Sequence, residues 1–157
     1  MSTGERQAKR SAAGLTVLRV AVGAAFVAHG AQKLFVFGLG GVSAAFGHMG
    51  VPLPGVTGPL VAVVEFLAGL ALVFGLLTRL ASLGLGIDML GAIALVHLKH
   101  GFFLPNGFEY AFAMLAATVA LTLAGPGALA LDNVLGRERE EIVATEARER
   151  GGVSVAA

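Results

Sequence analysis

Apolar residues are gathered into four long segments, and short polar or glycine-rich stretches separate each segment from the next. A transmembrane helix needs about 20 mainly apolar residues, and each segment is close to that length. The pattern predicts an all-α integral membrane protein, a four-helix bundle formed by residues 14–132. The four predicted helices span residues 14–37, 57–77, 80–98 and 108–124.

Both ends of the chain are polar. Residues 1–13 form a basic stretch that indicates a flexible tail. A signal peptide is the competing interpretation, but the apolar run outlasts a typical h-region and no clear A-x-A site follows. Residues 133–157 mix arginine with glutamate, which is typical of a solvated helix or a disordered tail.

The connections between the helices indicate how they are arranged. Residues 37–55 are rich in glycine and proline, and the middle part, 42–49, predicts a short helix in the membrane interface. Only Thr78 and Arg79 join the second and third predicted helices, so those two must be antiparallel neighbours. A faint repeat is also visible, because His29 to Phe35 and His97 to Phe102 close the first and third helices in similar ways.

Composition supports the membrane assignment and limits the chemistry. The chain is 56% hydrophobic and 13% charged, whereas a soluble domain carries about 25% charged residues. There is no cysteine, which excludes disulfides, thiolate metal sites and CxxC redox chemistry. A redox role would therefore need a bound organic cofactor that is not held covalently through cysteine. The net charge of +1 and the lack of a basic cluster with aromatic residues exclude nucleic acid as a partner, and leave the lipid bilayer.

Basic residues predict the orientation in the membrane. By the positive-inside rule, the side with more lysine and arginine faces the cytoplasm, so both termini are expected there. One side holds Arg6, Lys9, Arg10, Arg79, Arg137 and Arg139, and Lys33 and Lys99 lie near the other.

Ionisable residues inside the apolar segments cost about 2.5–3.5 kcal/mol each at mid-bilayer, so each needs a partner or a function. Glu65 shares one helix face with the small residues Gly58, Ala62 and Gly69. Small residues mark close helix contacts in membranes, and Glu65 is therefore expected to face protein rather than lipid.

Counting depth at about 1.5 Å per residue places several polar side chains together in the outer half of the bundle. Two interpretations stay open for this cluster. It is either a hydrogen-bonded plug that joins helix ends, or a polar pocket for a quinone headgroup or a proton, because His and Glu can exchange protons. The members of the cluster are His29, Lys33, Glu65, His97 and Glu109.

The same counting places Arg19 and Asp88 in the inner half, where we expect a structural ion pair that fixes helix order. A metal site formed by His97, His100 and Glu109 is not favoured, since the two histidines straddle a helix end, and no metal is expected.

Several segments resemble the DoxX/DoxD-like family of small bacterial membrane proteins: LRVAVGAAFVAHGAQKLF, MGVPLPG, VVEFLAGLALVFGLLTRLAS and VHLKHGFFLPNGFEYAFAMLAATVALTLAGPGALALD. The resemblance covers roughly residues 15–132 and implies a four-helix protein of the bacterial plasma membrane. Family members resemble or associate with the membrane part of a thiosulfate:quinone oxidoreductase, or are linked to complexes that handle thiol and oxidative stress. The resemblance marks as landmarks, not as assigned catalysts, Arg19, His29, Gly30, Lys33, Glu65, Gly69, Arg79, His97, Gly101, Phe102, Glu109 and Tyr110.

Two functions follow as hypotheses. The first is a quinone-interacting membrane subunit of an oxidoreductase complex, with His29, Glu65 and His97 around the headgroup and Lys33 and Glu109 at the rim. The second is a non-enzymatic scaffold or assembly factor that docks a soluble or membrane partner through residues 137–150. A small transporter is a third class and would need to oligomerise. The sequence leaves open whether the chain is an enzyme and whether it forms a homo-oligomer.

Overall fold

The computed structural model describes residues 2–136, and within this range the chain is helical with no strand. The charged residues 137–157, which include the expected docking element, lie outside the described residues. Two π-helical segments, Gln32–Phe37 and Ile93–His97, continue two of the α-helices, and a 3₁₀ turn follows at Leu98–His100. The α-helices are α1 Thr3–Ala31, α2 Gly38–Met49, α3 Pro54–Phe74, α4 Thr78–Ala92 and α5 Glu109–Ala124; residues 131–136 add a short helical segment.

The first helix starts earlier than the sequence pattern predicts. Instead of a flexible tail up to residue 13, α1 begins at Thr3. The side chain of Ser2 accepts a hydrogen bond from the N–H of Glu5 at 3.2 Å, and the Glu5 carboxylate accepts one from the N–H of Ser2 at 2.7 Å. This reciprocal capping box satisfies two backbone donors, and the glutamate, arginine, glutamine, alanine and lysine that follow are good helix formers.

Within residues 2–136, three helical stretches are long and apolar enough to cross a membrane, namely Thr3–Met49, Pro54–Phe74 and Thr78–His100. The shorter apolar helix α5 runs antiparallel to α4, because Gly86 lies beside Thr118 and His97 beside Asn106. Many large apolar side chains face outwards on the bundle, as they must where the solvent is lipid. The protein is an all-α membrane helical bundle, which confirms the predicted fold class.

Helices α1 and α3 form one closely packed pair. A Cβ atom added at Gly23 would lie 2.8 Å from the carbonyl oxygen of Gly69, and one added at Gly69 would lie 2.8 Å from the backbone nitrogen of Val27. Gly30 faces the backbone of Phe66 in the same way, with 2.7 Å to its Cα. The two backbones therefore touch, and only glycine fits at these positions.

Helices α4 and α5 form the second pair, in which Leu85 and Leu121 are fully buried and Gly86 packs against Thr118. The two pairs are joined by a short turn. The turn begins at Gly75, which has a φ of +70° and ends α3, so α3 stops before the predicted end at residue 77. Glycine is the usual residue for this left-handed helix end.

The two π-helical segments stand at corresponding places in the two halves. Gln32–Phe37 follows α1 and Ile93–His97 follows α4, and each leads into the connection to the next spanning helix. These are the positions at which the sequence shows its faint repeat. A π-helical turn widens the helix locally, and such turns occur frequently at functional sites.

The end of the bundle opposite α2 is closed by residues 125–136. The hydroxyl of Thr16 donates to the carbonyl of Ala128 at 2.7 Å. The carboxylate of Asp132 accepts from the N–H groups of Leu77 at 2.6 Å and Thr78 at 2.9 Å, and so caps the start of α4. We call this the terminal end, because both ends of the described chain lie there, and we call the opposite end, formed by α2 and residues 98–108, the α2 end. The assignment of the terminal end to the cytoplasm stays a prediction.

Candidate functional site

A cavity of about 550 Å³ lies between the two helix pairs. Most of its wall is apolar, including Phe26 of α1 and Met114 of α5, and α2 contributes Phe46 and Met49. A volume of this size is typical of a pocket for a small organic molecule. The ionisable and phenolic side chains on its wall are His29, Lys33, Glu65, Asp88, His97 and Tyr110.

Lys33 and Glu65 form an ion pair across α1 and α3. The first π-helical segment positions Lys33, whose side chain is 21% exposed, and α3 positions Glu65, whose side chain is 5% exposed. Because a buried carboxylate is costly without a cation, the pairing with Lys33 stabilises Glu65 in this position.

Asp88 of α4 faces the same charged group. Glu65 and Lys33 are the charged side chains that act on its carboxyl group, and its Oδ2 atom is buried with no hydrogen-bond partner among residues 2–136. Lys33 pairs with Glu65 and acts on Asp88 as a nearby charge, so two carboxyl groups lie near one ammonium group. The cluster needs one further positive charge, carried by a proton or a cation, to be neutral.

The two histidines of the cavity are held in different ways. The ring of His29 lies 5.9 Å from that of Tyr110 between ring centroids, and the phenolic oxygen is 3.4 Å from its Nε2 atom. The Nδ1 atom of His97 is 3.0 Å from the carbonyl oxygen of Asn106. A carbonyl only accepts, so Nδ1 of His97 carries the proton in this bond, and Nε2 is the nitrogen available as an acceptor in the neutral ring.

The structure brings together four of the five residues that the sequence placed in one cluster: His29, Lys33, Glu65 and His97 all line the cavity. Glu109 does not. It opens α5 and accepts a hydrogen bond from the N–H of Leu104 at 3.1 Å. An acidic side chain in the first turn of a helix is stabilised by the helix dipole and by backbone donors, which accounts for its place there. Among residues 2–136, no group of three or more metal-ligating side chains is found.

The expected ion pair between Arg19 and Asp88 does not form. Arg19 is 1% exposed, and its guanidinium donates to the carbonyl oxygens of Leu72 at 2.9 Å and Leu129 at 3.1 Å. Asp132, rather than Asp88, is the carboxylate that acts on it. The carbonyl oxygen of Leu72 also accepts from the N–H of Gly75 at 3.1 Å, and its second lone pair accepts from the guanidinium of Arg19. A guanidinium has five donors, which suits it to the carbonyls at this helix end.

Two residues of the cavity, Asp88 and Tyr110, were not assigned to it from the sequence. A signal for Asp88 was present. Glu65 lies ten residues before Gly75 and Asp88 ten residues after Thr78, so in an antiparallel hairpin both stand at the same height. Counting from the turn finds this match, whereas counting from the separate outer and inner helix ends placed them in different halves.

The geometry defines a class of protein, a membrane helical bundle with an internal apolar cavity and a cluster of ionisable groups on its wall. The DoxX family model matches residues 14–98, more than half of the chain. The chain belongs to the DoxX family, as the resemblance of its segments predicted.

Curated relatives agree with this membership. A protein of Bacillus subtilis (strain 168) named "Putative oxidoreductase CatD" is 34% identical over 119 residues, which cover 76% of this chain and 84% of that protein. An uncharacterized membrane protein of Mycobacterium tuberculosis is 34% identical over 132 residues, covering 76% of this chain and 80% of its own. An uncharacterized protein of Haemophilus influenzae is 32% identical over 123 residues, which cover 76% of this chain and 88% of that protein. No solved structure matches this chain.

Proposed function

We propose that the protein is a quinone-interacting membrane subunit of an oxidoreductase complex in the bacterial plasma membrane. The observation that carries the proposal is the cavity, in which a mainly apolar wall carries hydrogen-bonding groups of several kinds. A quinone has the matching chemistry, because its ring carries two carbonyl oxygens that accept hydrogen bonds and its chain is apolar.

The polar groups of the cavity supply what a quinone headgroup needs. Lys33 and Tyr110 are donors for the ring oxygens, and the two histidines can act as donor or acceptor. A quinone takes up two protons together with two electrons. The carboxyl pair of Glu65 and Asp88, with its single ammonium partner, is a group from which protons can be exchanged.

The electrons would come from a partner. The chain has no cysteine and so has no thiol chemistry of its own, and a soluble or membrane oxidoreductase is the class of protein that would supply them. A relative named as an oxidoreductase supports a redox role at this coarse level.

The test measures what the protein carries. Wild type, Glu65→Gln and Glu109→Gln are purified in mild detergent and extracted with organic solvent, and quinone is quantified per protein. We expect near-stoichiometric quinone for wild type and Glu109→Gln. Glu65→Gln should bind about tenfold more weakly, because it replaces the charged partner that positions the Lys33 ammonium group as a donor to a ring oxygen, and hydrogen bonds to charged groups contribute roughly 1.5–3 kcal/mol.

Glu109→Gln is the matched control. It makes the same chemical change at a carboxylate outside the cavity, and glutamine keeps the oxygen that accepts from Leu104. Quinone no higher than the lipid background in the wild type would contradict the proposal. The scaffold hypothesis, with residues 137–150 as docking element, would then be tested by deleting that segment and measuring partner recovery.

A further inference from the structure

The cavity lies between the two helix pairs and therefore borders two seams, one between α1 and α5 and one between α3 and α4. The first seam is crossed by aromatic side chains. His29 of α1 and Tyr110 of α5 are in ring contact and within 3.4 Å through Nε2 and the phenolic oxygen. A molecule that entered by this route would have to separate them.

Among residues 2–136 the second seam has no ring contact; the interaction across it is between the carboxyl groups of Glu65 and Asp88. Gly91 of α4 lines the cavity, and a Cβ atom added to it would meet no heavy atom within 4 Å among the described residues. The glycines between α1 and α3 behave in the opposite way, since a Cβ at Gly23 or Gly69 would collide with backbone at 2.8 Å. Gly91 is therefore a small residue beside open space and not a helix contact.

The exposed fraction of the side chains that line the cavity is also higher beside Gly91 than on the opposite wall. Ile87 and Leu95, one turn on either side of Gly91, line the cavity although they are 64% and 49% exposed. On the opposite wall, Phe26 is 2% and Ala111 is 5% exposed. The cavity thus opens towards the outer surface between α3 and α4, which in a membrane protein is the lipid, whereas at the seam between α1 and α5 the contact of His29 with Tyr110 bridges the two helices.

We propose that Ile87, Gly91 and Leu95 form the α4 side of a lateral portal through which the apolar chain of the bound ligand passes into the bilayer. The ligand is then a molecule with a polar ring inside the cavity and a hydrocarbon chain that stays in lipid. This inference rests on the proposed function and adds to it how the ligand is held and by which route it enters. Val61 of α3 lines the opposite side of the portal.

The experiment compares two glycines on the same helix. Gly91→Leu fills the portal. Gly84→Leu makes the same change at a glycine that also has no neighbour within 4 Å of an added Cβ but does not line the cavity. Both changes raise helix propensity and neither meets protein atoms at the Cβ, so both variants should fold. Binding of two probes is measured in lipid nanodiscs: decylubiquinone, and the same benzoquinone ring without the decyl chain.

We expect Gly91→Leu to weaken binding of decylubiquinone by about tenfold or more, and to change binding of the chain-free ring by less than about threefold. Gly84→Leu should leave both close to wild type. If wild type binds both probes and the two leucine variants behave alike, the portal is overturned while the proposed function stands. If wild type binds neither probe, the proposed function itself fails, and the portal fails with it.

Discussion

The two ends of the bundle both bury charged side chains, but they satisfy those charges differently. At the terminal end, Arg19 donates to the carbonyl oxygens of Leu72 and Leu129, and Asp132 accepts from two N–H groups. In the cavity, which extends from the middle of the bundle to the α2 end, Asp88 has one oxygen without a hydrogen-bond partner among residues 2–136. A buried charge alone therefore does not mark a ligand site. The terminal end also has buried atoms without a partner among residues 2–136, namely Nε of Arg19 and the hydroxyl of Thr78. What distinguishes the two regions is that backbone carbonyls surround the charge of Arg19, whereas Asp88 lines a cavity.

This difference separates stability from binding. Substitutions at the terminal end should mainly change the free energy of unfolding, and substitutions around the cavity should mainly change ligand binding. The following variants test that separation, starting with the largest expected change in stability.

Arg19→Leu should have the largest effect, a loss of about 3 kcal/mol in the free energy of unfolding. The substitution leaves Asp132 without its cation and removes the donors to the carbonyls of Leu72 and Leu129. Thermal unfolding in detergent, followed by far-ultraviolet circular dichroism, measures it. Arg10→Leu makes the same change at an exposed position of α1 and should stay within about 0.5 kcal/mol of wild type. Equal thermal unfolding midpoints for Arg19→Leu and Arg10→Leu would contradict the view that the buried charge at the terminal end serves stability.

Lys33→Met should cost about 1–2 kcal/mol, because it leaves the carboxyl groups of Glu65 and Asp88 without their ammonium partner. The effect is smaller than at Arg19, since the Lys33 side chain is still partly exposed. The double variant Lys33→Met/Glu65→Gln should recover part of the loss, and a double-mutant cycle measures this coupling. A coupling energy near zero would show that the pair does not determine the charge state of the cavity.

Asp132→Ala should cost about 1 kcal/mol, the usual value for removing the side-chain acceptor at the start of a helix. Here the acceptor comes from a distant segment and serves the N–H groups of Leu77 and Thr78. Asp132→Asn keeps one acceptor oxygen and should cost less. The same unfolding measurement applies, and bound quinone per folded protein should not change. Loss of quinone in Asp132→Ala would mean that the two ends are coupled.

His29→Phe should change stability least, by no more than about 0.5 kcal/mol, because phenylalanine keeps an aromatic ring against Tyr110. It removes the imidazole nitrogens and should weaken quinone binding by up to about tenfold, the equivalent of one hydrogen bond. Quinone extraction and the unfolding midpoint are measured on the same preparation. If the variant loses stability and retains quinone, the expectation that cavity residues mainly affect ligand binding is contradicted.

Much of the fold is predictable from the sequence, because a helix that crosses a membrane needs about 20 mainly apolar residues and such segments are easily recognised. The glycine and proline residues around 37–55 and the turn at Gly75 mark where helices end, and the boundaries differ from prediction by only a few residues there. The start of α1 is harder to predict, since Ser2 to Arg10 is polar and its hydropathy indicates a tail. Its helical signal is the capping box of Ser2 and Glu5.

Less of the candidate site is predictable. Counting heights along helices groups Lys33 with Glu65, because both can be measured from the same loop. The same counting places Asp88 in the wrong half, because its charge is opposite to that of Arg19 and suggested an ion pair. The groups that Arg19 does bind are backbone carbonyls, which every residue has, so the sequence does not identify them. The open space beside Gly91 cannot be inferred from the residue type either, since glycine at Gly23 and Gly69 means the reverse, a close backbone contact.

The hydrogen bonds of Arg19 also impose an order on folding during synthesis. Its two carbonyl partners lie 53 and 110 residues further along the chain, at Leu72 and Leu129. Since a chain is synthesised from its N-terminus, α1 enters the membrane with its guanidinium before either acceptor exists. The terminal end can close only after the residues beyond α5 have emerged, so the last segment of the described chain to be translated completes the bonding of one of the first.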